Sequence, residues 1–307
     1  MVFYRKYRPQ TLNDLDSTIV REKLYAILAK PASIPHAFLF TGPKGLGKTS
    51  AARIIAKVVN CLGEKKNRGE SGIEPCNECE QCIAITQGSS MDVLEIDAAS
   101  NRGIDEIREL KETIKLTPLA SRKKVYIIDE VHMLTTEAFN ALLKTLEEPP
   151  AHAMFILCTT EPHKVPPTIL SRTVHLSFQK ATTEELVRSF KRIVTAEKIA
   201  ITDDGLVRLA ELSDGGFRDG TKALEEIASL AQGENITAAL IEKKFHITGL
   251  SQHKDTMIPL LFQKDTQALL TLIAGMSSEG GDIRYLLEQV IETLHTVLLK
   301  KAGVAVV

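Results

Sequence analysis

No apolar run in this sequence reaches the roughly 18 residues needed to span a bilayer, and Met1-Val2-Phe3-Tyr4-Arg5-Lys6 lacks the long apolar segment of a secretory signal. A cytoplasmic protein with reduced thiols and no membrane partner is therefore expected. Net charge is almost absent too: 38 Lys and Arg stand against 39 Asp and Glu. Bulk charge thus makes no case for a polyanion binder, although residues 1–60 alone hold ten Lys or Arg against three Asp or Glu. Internal repeats, low-complexity tracts and the carboxylate constellation of a nucleotide polymerase are all missing, which excludes solenoids and a polymerising activity. What is present is 307 residues, 44% apolar and 25% charged, the make-up of an ordinary soluble protein of two or three domains.

The most informative stretch is Thr41-Gly42-Pro43-Lys44-Gly45-Leu46-Gly47-Lys48-Thr49-Ser50, which fits the G-x-x-x-x-G-K-[ST] pattern of a phosphate-binding loop. Such a match arises by chance in about one chain in a hundred of this length. Its flanks are those the motif requires. Ala37-Phe38-Leu39-Phe40 reads as a buried strand, and Ala52, Ile55, Ala56 and Val59 recur at helical spacing. Gly42, Gly45 and Gly47 let the backbone curl with its N–H groups inward, Lys48 can reach terminal phosphates, and the Thr49 hydroxyl can ligand Mg2+. The expected ligand is a nucleoside triphosphate.

Val125-Tyr126-Ile127-Ile128-Asp129-Glu130-Val131-His132 reads as a β-branched strand ending in two carboxylates. About 80 residues after a P-loop, Asp129 is expected to hold Mg2+ through water, and Glu130 to polarise the water that attacks the γ-phosphate. His132 is read as structural. The strand Ala153 to Cys158 ends in Thr159-Thr160-Glu161, where a hydroxyl can feel the γ-phosphate or simply make a turn. Cys158 reads as a buried small residue.

Between these motifs, residues 61–90 break the α/β rhythm. Cys61, Cys76, Cys79 and Cys82 have the spacing C-x14-C-x2-C-x2-C, which supplies the four thiolates of a closed, structural Zn2+ site. A thioredoxin-type redox pair normally follows a strand in a different fold, and a reducing compartment disfavours a disulfide. Upstream, Tyr4-Arg5-Lys6-Tyr7-Arg8-Pro9 is a basic, aromatic leader that Pro9 keeps out of helix. There Tyr7 either stacks on an adenine ring or belongs to a solvated arm. A helix from Ile19 to Lys30 is expected to stop at Pro31. Met91 to Asp97 reads as a strand, and Ser100-Asn101-Arg102-Gly103 opens a helix that either grips a phosphate or is merely capped. The last strand is expected from Thr173 to Phe178. Beyond residue 180 the pattern is helical throughout, over 182–198, 203–213, 218–231, 237–245, 254–262, 265–274 and 282–301.

Several of these pieces together resemble the gamma/tau subunit family of bacterial DNA polymerase III, the AAA+ motor of the sliding-clamp loader. They are Tyr7-Arg8-Pro9, the P-loop, the four cysteines, Ala99 to Asp105, Asp129-Glu130-Val131-His132, Asn140 to Pro150, and Ile169-Leu170-Ser171-Arg172. The cysteine insert separates this pattern from the replication factor C small subunits, which resemble the core but lack it.

The resemblance implies an α/β AAA+ P-loop NTPase core with a parallel sheet and a zinc module over 1–179, the insert lying at about 61–90. A helical lid follows over 180–247, then a helical collar segment over 248–307, either shortened or part of a longer chain. It implies ATP, Mg2+ and structural Zn2+ as ligands. Thr160, or else Thr159, corresponds to the first γ-phosphate sensor, and Arg218 to a second sensor acting in cis. Arg172 corresponds to an arginine finger acting on a neighbouring subunit's ATP, and Arg102 lies in the region that lines the DNA passage. The site set is thus Lys48, Asp129, Glu130, Thr160, Arg172 and Arg218 for chemistry, with Tyr7, Arg8 and Gly42 to Ser50 (including Pro43, Lys44 and Leu46) around the nucleotide. The implied partners are other clamp-loader subunits in a five-membered assembly, the sliding clamp and primer-template DNA. A non-hydrolysing structural subunit and a helicase loader or protein remodeller are the competing readings.

Three departures from the family pattern bear on structure. Thr173 stands where a Cys is common, Leu15-Asp16-Ser17 replaces a usual Gly-Gln pair, and Gly220 replaces an Ala. The last is expected to cost the helix about 1 kcal/mol and to leave Arg218 less firmly held.

Overall fold

The computed structural model describes residues 2–30, 33–69, 72–100, 112–231, 233–245, 250–278 and 283–303. Arg102, the Asn101 and Arg102 helix start, Pro31 and part of the expected break at 248–251 lie outside the described residues.

Five strands, β1 (Ala37–Thr41), β2 (Val93–Asp97), β3 (Lys124–Asp129), β4 (Ala153–Thr159) and β5 (Val174–Ser177), form one sheet in the order β2-β3-β4-β1-β5. Every pairing is parallel. Because alternate side chains leave a strand on opposite faces, the apolar runs of β1, β3 and β4 feed two separate cores. Phe38, Phe40, Val125, Ile127, Ile156 and Cys158 pack on one face with Ile54 and Ile55 of the P-loop helix (Lys48–Asn60). Leu39, Tyr126, Ile128, Phe155 and Leu157 pack on the other with Leu142 and Leu146 of the Thr136–Glu147 helix. Burial on both faces is why these strands read as continuous rather than alternating hydrophobic segments.

The chain divides into two compact units. The first comprises residues 1–197 and 210–225, the second 198–209 and 226–307. Within the second, Ile201 and Ile236 make a parallel bridge, Arg208 Nε pairs with Glu242 Oε1 at 3.0 Å, and the Leu250–Gln263, Thr266–Ser278 and Ile283–Lys301 helices bury Met257, Met276, Leu286 and Val290.

The helices beyond 180 begin and end within a few residues of their expected limits. Four local expectations need correction. The leader contains one helical turn, Phe3–Lys6, whose first N–H is taken by Glu225 Oε2 at 3.0 Å, so Pro9 bars helix only from the residues next to it. β2 starts at Val93, because the Asp92 carboxylate turns away to accept the backbone N–H groups of Leu119, Ala120 and Ser121 at 2.8–2.9 Å. β3 ends at Asp129, because Glu130 is left-handed (φ 47°, ψ 45°). The cysteine segment includes a helix, Glu80–Gln87, that carries Cys82.

Gly220 is a correction of another kind. A Cβ there would meet Phe190 Cζ and Ser213 Oγ, each at 2.6 Å. Glycine therefore admits the Phe190 ring against the Phe217–Ala231 helix instead of loosening the segment that carries Arg218.

Candidate functional site

Three adjacent parallel strands end side by side at one edge of the sheet, β1 running into the P-loop, β3 into Asp129-Glu130 and β4 into Thr159-Thr160. Ligands of open parallel sheets bind at this carboxyl edge, and here it opens on a pocket of about 680 Å³. Lys44 through Ser50 line it, together with Tyr7, Arg8, Asp129, Glu130 and Arg218. Leu15, Val20, Phe178 and Ile193 supply apolar wall, a fit for a planar base beside a polar phosphate end.

The P-loop geometry follows from its glycines. Gly42, at φ 138°, lets the chain turn off β1, and a Cβ there would lie 2.1 Å from the Phe178 carbonyl oxygen. The Lys48 ammonium donates to the carbonyls of Gly42 (2.6 Å) and Pro43 (2.8 Å). Burial lowers its pKa, which Glu130, Cys158 and Asp129 partly offset. Thr49 Oγ1 donates to Asp129 Oδ2 at 2.8 Å, so the hydroxyl and carboxylate expected to share a divalent cation are already in contact. Two hard oxygen donors beside a phosphate cradle fit Mg2+.

Leaving the strand costs Glu130 roughly 1–2 kcal/mol in its left-handed conformation, and the side chain is held in return. Thr160 donates to Glu130 Oε2 through its hydroxyl at 2.8 Å and its N–H at 3.2 Å. Thr159 is engaged elsewhere, its hydroxyl meeting His132 Nδ1 at 2.9 Å and the Glu161 N–H at 3.0 Å. Of the two threonines, it is Thr160 that reaches the acidic pair. His132 is nearly buried, with Nε2 3.2 Å from Glu161 Oε1 and Nδ1 3.4 Å from Glu130 Oε2. It therefore braces this strand end, a contact that its place in the sequence did not signal.

Arg218 is brought in from the helical segment. Its N–H donates to the Gly45 carbonyl at 3.2 Å, and its guanidinium lies 4.9 Å from the centre of the Tyr4 ring. The leader is anchored from the same side. Tyr7 Oη and Lys6 Nζ both donate to Glu197 Oε1 at 2.6 Å, and Arg8 Nε donates to Ser50 Oγ at 2.9 Å. Burial, then the nearby charge of Arg53, lowers the Arg8 pKa. The Leu15-Asp16-Ser17 departure acquires a reason here: Asp16 is buried and pairs with Arg192 and, at 3.6 Å, with Arg188. Thr173, the other departure, satisfies its hydroxyl on the Ile169 carbonyl at 3.0 Å.

Arg172 is not part of this cluster. It precedes β5, which runs parallel to β1, so it stands at the opposite end of the sheet from the P-loop, roughly 15 Å away along the strand. Its guanidinium bonds Glu147 Oε1 at 2.5 Å and the Thr168 carbonyl at 2.8 Å.

The four expected metal thiols do converge. The Sγ atoms of Cys61, Cys76, Cys79 and Cys82 all lie within 4.8 Å of one another, near the about 3.8 Å edge of a tetrahedron with Zn–S bonds of about 2.3 Å. Backbone N–H groups are aimed at the sulfurs, from Cys76 to Cys61 at 3.4 Å, from Cys79 to Cys76 at 3.3 Å and from Leu62 to Cys79 at 3.5 Å. Burial opposes ionisation of Cys79, yet those from Leu62 and Cys82, with the neighbouring thiols, bring its pKa down to about 6. A Cβ on Gly63 would sit 2.9 Å from Cys76 Sγ. The donor set and its tight surroundings fit a closed Zn2+ site. Cys158, by contrast, is fully buried in β4.

Comparison with known proteins bears on the same residues. A family described as "DNA polymerase III, delta subunit" matches residues 19–182. The tau subunit of DNA polymerase III from Bacillus subtilis is 43% identical over 304 residues, covering 98% of this chain and 52% of the relative. The gamma subunit from Buchnera aphidicola is 35% identical over 303 residues, covering 98% of this chain and 79% of that protein. The chain thus spans about half the length of the Bacillus relative. Among solved structures, the Thermotoga maritima RuvB Holliday junction branch migration motor aligns with a TM-score of 0.58 at 17% identity, covering 90% of this chain and 86% of the other. That likeness establishes the AAA+ fold. No helix among the described residues is long and apolar enough to cross a membrane.

Proposed function

The chain belongs to the DNA polymerase III subunit gamma/tau family, and on that premise we propose that it is an AAA+ ATPase of the replicative clamp loader, a holoenzyme component that does not itself polymerise DNA. ATP binding and hydrolysis would drive opening of the sliding clamp and its placement on primed DNA, in a cytoplasmic assembly with other clamp-loader subunits. The observation that carries the reading is the convergence of Lys48, Thr49, Asp129, Glu130 and Arg218 on one pocket at the carboxyl edge of the sheet, with Thr160 bonded to Glu130.

In this reading the Lys48 ammonium and the inward amides of Gly45 to Thr49 hold the terminal phosphates. Thr49 and Asp129 hold the cation, and Mg2+ neutralises charge developing on the transferred phosphoryl group. Glu130 orients the attacking water, and Thr160, bonded to Glu130, links that carboxylate to the γ-phosphate position. Arg218 acts in cis. Arg172, at the far end of the sheet, serves a neighbouring subunit, and Arg102 contacts DNA. Cys61, Cys76, Cys79 and Cys82 hold a Zn2+ with no open position, which staples the insert and does no chemistry. The core extends to about residue 179, the lid to 247 and the collar segment beyond.

Intact Lys48, Thr49, Asp129 and Glu130 favour a motor over a non-hydrolysing scaffold. Turnover of ATP, measured with and without sliding clamp and primed DNA, tests the assignment. Stimulation by both supports it; nucleotide binding without turnover in the full assembly indicates a scaffold, and turnover indifferent to the clamp indicates a remodeller.

A further inference from the structure

The insert's four thiols explain how it is closed, but not why it should sit where it does. Two buried charges join it to the leader that forms one wall of the nucleotide pocket. Lys57, in the last turn of the P-loop helix, is 1% exposed. Its ammonium donates to Asn77 Oδ1, between Cys76 and Cys79, at 2.7 Å, and to Gln10 Oε1 of the leader at 2.7 Å. Gln10 in turn donates to the Arg8 carbonyl at 3.0 Å, and Arg8 bonds Ser50. Glu74, just before Cys76, is 8% exposed. Its carboxylate accepts the N–H of Leu12 at 2.7 Å, the N–H of Asn13 at 2.9 Å and the Tyr25 hydroxyl. Behind it Arg68 ties the insert to the P-loop helix, donating to the carbonyls of Val58 at 2.8 Å and Ile73 at 3.0 Å.

A buried charge must keep its partners, because removing one leaves an uncompensated ion in an apolar setting. Lys57 takes partners from both insert and leader, and Glu74, carried by the insert, takes its own from the Leu12-Asn13 backbone and Tyr25, so neither segment can move alone without stranding a charge. Asn77 faces Lys57 from a left-handed position, φ 59°, set by the turn between two of the clustered cysteines.

We propose that the cysteine insert is a brace for the nucleotide pocket. Asn77 and Glu74 are its positioning residues, acting through Lys57, Gln10 and the Leu12-Asn13 backbone, so that metal occupancy sets nucleotide affinity. The proposal rests on the nucleotide-site reading above.

The test uses the whole chain and three readouts: zinc per chain by elemental analysis, affinity for a fluorescent ATP analogue, and amide hydrogen exchange of residues 8–17. Asn77→Gly removes the amide at a position where glycine is unstrained, and Glu74→Gln replaces one strut's charge. With one zinc retained, each is expected to weaken nucleotide binding about tenfold and to speed exchange across 8–17, while turnover at saturating ATP stays within about twofold. Should Glu74→Gln fail to fold, Asn77→Gly carries the test alone, and reversible chelation of the wild-type chain is expected to weaken nucleotide binding and speed exchange across 8–17, both recovering when zinc is restored. Unchanged affinity, or an affinity loss without faster exchange in 8–17, overturns the brace. Lys48→Ala keeps the two readings separable: loss of binding there with normal binding in the brace variants sinks the brace alone, whereas normal binding in Lys48→Ala sinks the nucleotide site.

Discussion

Two groups of charged residues in the first unit are held in opposite ways. At the carboxyl edge of the sheet each functional side chain is held by another member of the group or by the loop itself: Thr49 by Asp129, Glu130 by Thr160, Lys48 by the carbonyls of Gly42 and Pro43. At the other end Arg172 is about one third exposed and pairs with Glu147, which is about half exposed. An exposed pair of this kind contributes only about 0–1 kcal/mol. The first group is fixed by its own members, whereas the ion pair adds little to what holds Arg172. If Arg172 has the role proposed for it, a set held in this manner suits a site completed by a neighbouring subunit.

The largest expected effect tests that split. In the assembled complex with primed DNA, Arg172→Ala should remove most of the stimulated turnover, on the order of 10³ to 10⁵ for an arginine finger supplied in trans, while ATP affinity of the isolated chain stays nearly unchanged. Mixing Arg172→Ala with Lys48→Ala subunits should restore part of the activity; no recovery in verified mixed oligomers, or an isolated chain already fully active, would merge the two regions into one. Next in size, Glu130→Gln should bind ATP yet lose about 10²- to 10⁴-fold in turnover, whereas Lys48→Ala should lose binding itself. Wild-type turnover in Glu130→Gln would remove that carboxylate from the fixed group. Thr160→Val keeps the shape of the side chain and deletes its hydroxyl, and a fall of about tenfold in turnover with ATP affinity retained is expected if Thr160 aims Glu130. A loss confined to affinity would show instead that Thr160 serves only binding. Smallest of all, Glu147→Gln should change stability by less than about 1 kcal/mol in thermal unfolding. A larger drop would mean that Arg172 is structurally fixed after all.

Much of the carboxyl-edge group was legible from the sequence because its signals are local. The P-loop spacing, the strand ending in Asp129-Glu130 and the run of cysteines each declare themselves within a few residues, and period alone located the helices beyond 180. The contacts that organise these pieces were not legible. Periodicity tells which side chains share a face, not which faces meet, so the meeting of Thr160 with Glu130, of Arg218 with Tyr4 and Gly45, and of Glu74 with Leu12 and Asn13 could not be read. Gly220 shows the error this invites. Helix propensity charged it with a cost, while packing against Phe190 requires it. Leu15-Asp16-Ser17 likewise had no meaning until Arg188 and Arg192 arrived from a helix more than 170 residues away.

The close approach at Gly42 has a mechanical consequence. The Phe178 N–H bonds the Thr41 carbonyl at 2.7 Å, the Phe178 carbonyl fills the space a Gly42 Cβ would take, and on the loop's other flank the Arg218 N–H bonds Gly45. Main chain meets main chain at both points, and main chain has few soft torsions with which to absorb a displacement. The phosphate loop is thus riveted to the outlet of β5 and to the start of the helix carrying Arg218. A shift of either attachment is passed to the loop as strain rather than taken up by a yielding side chain, which makes the pair of contacts a stiff linkage rather than a hinge.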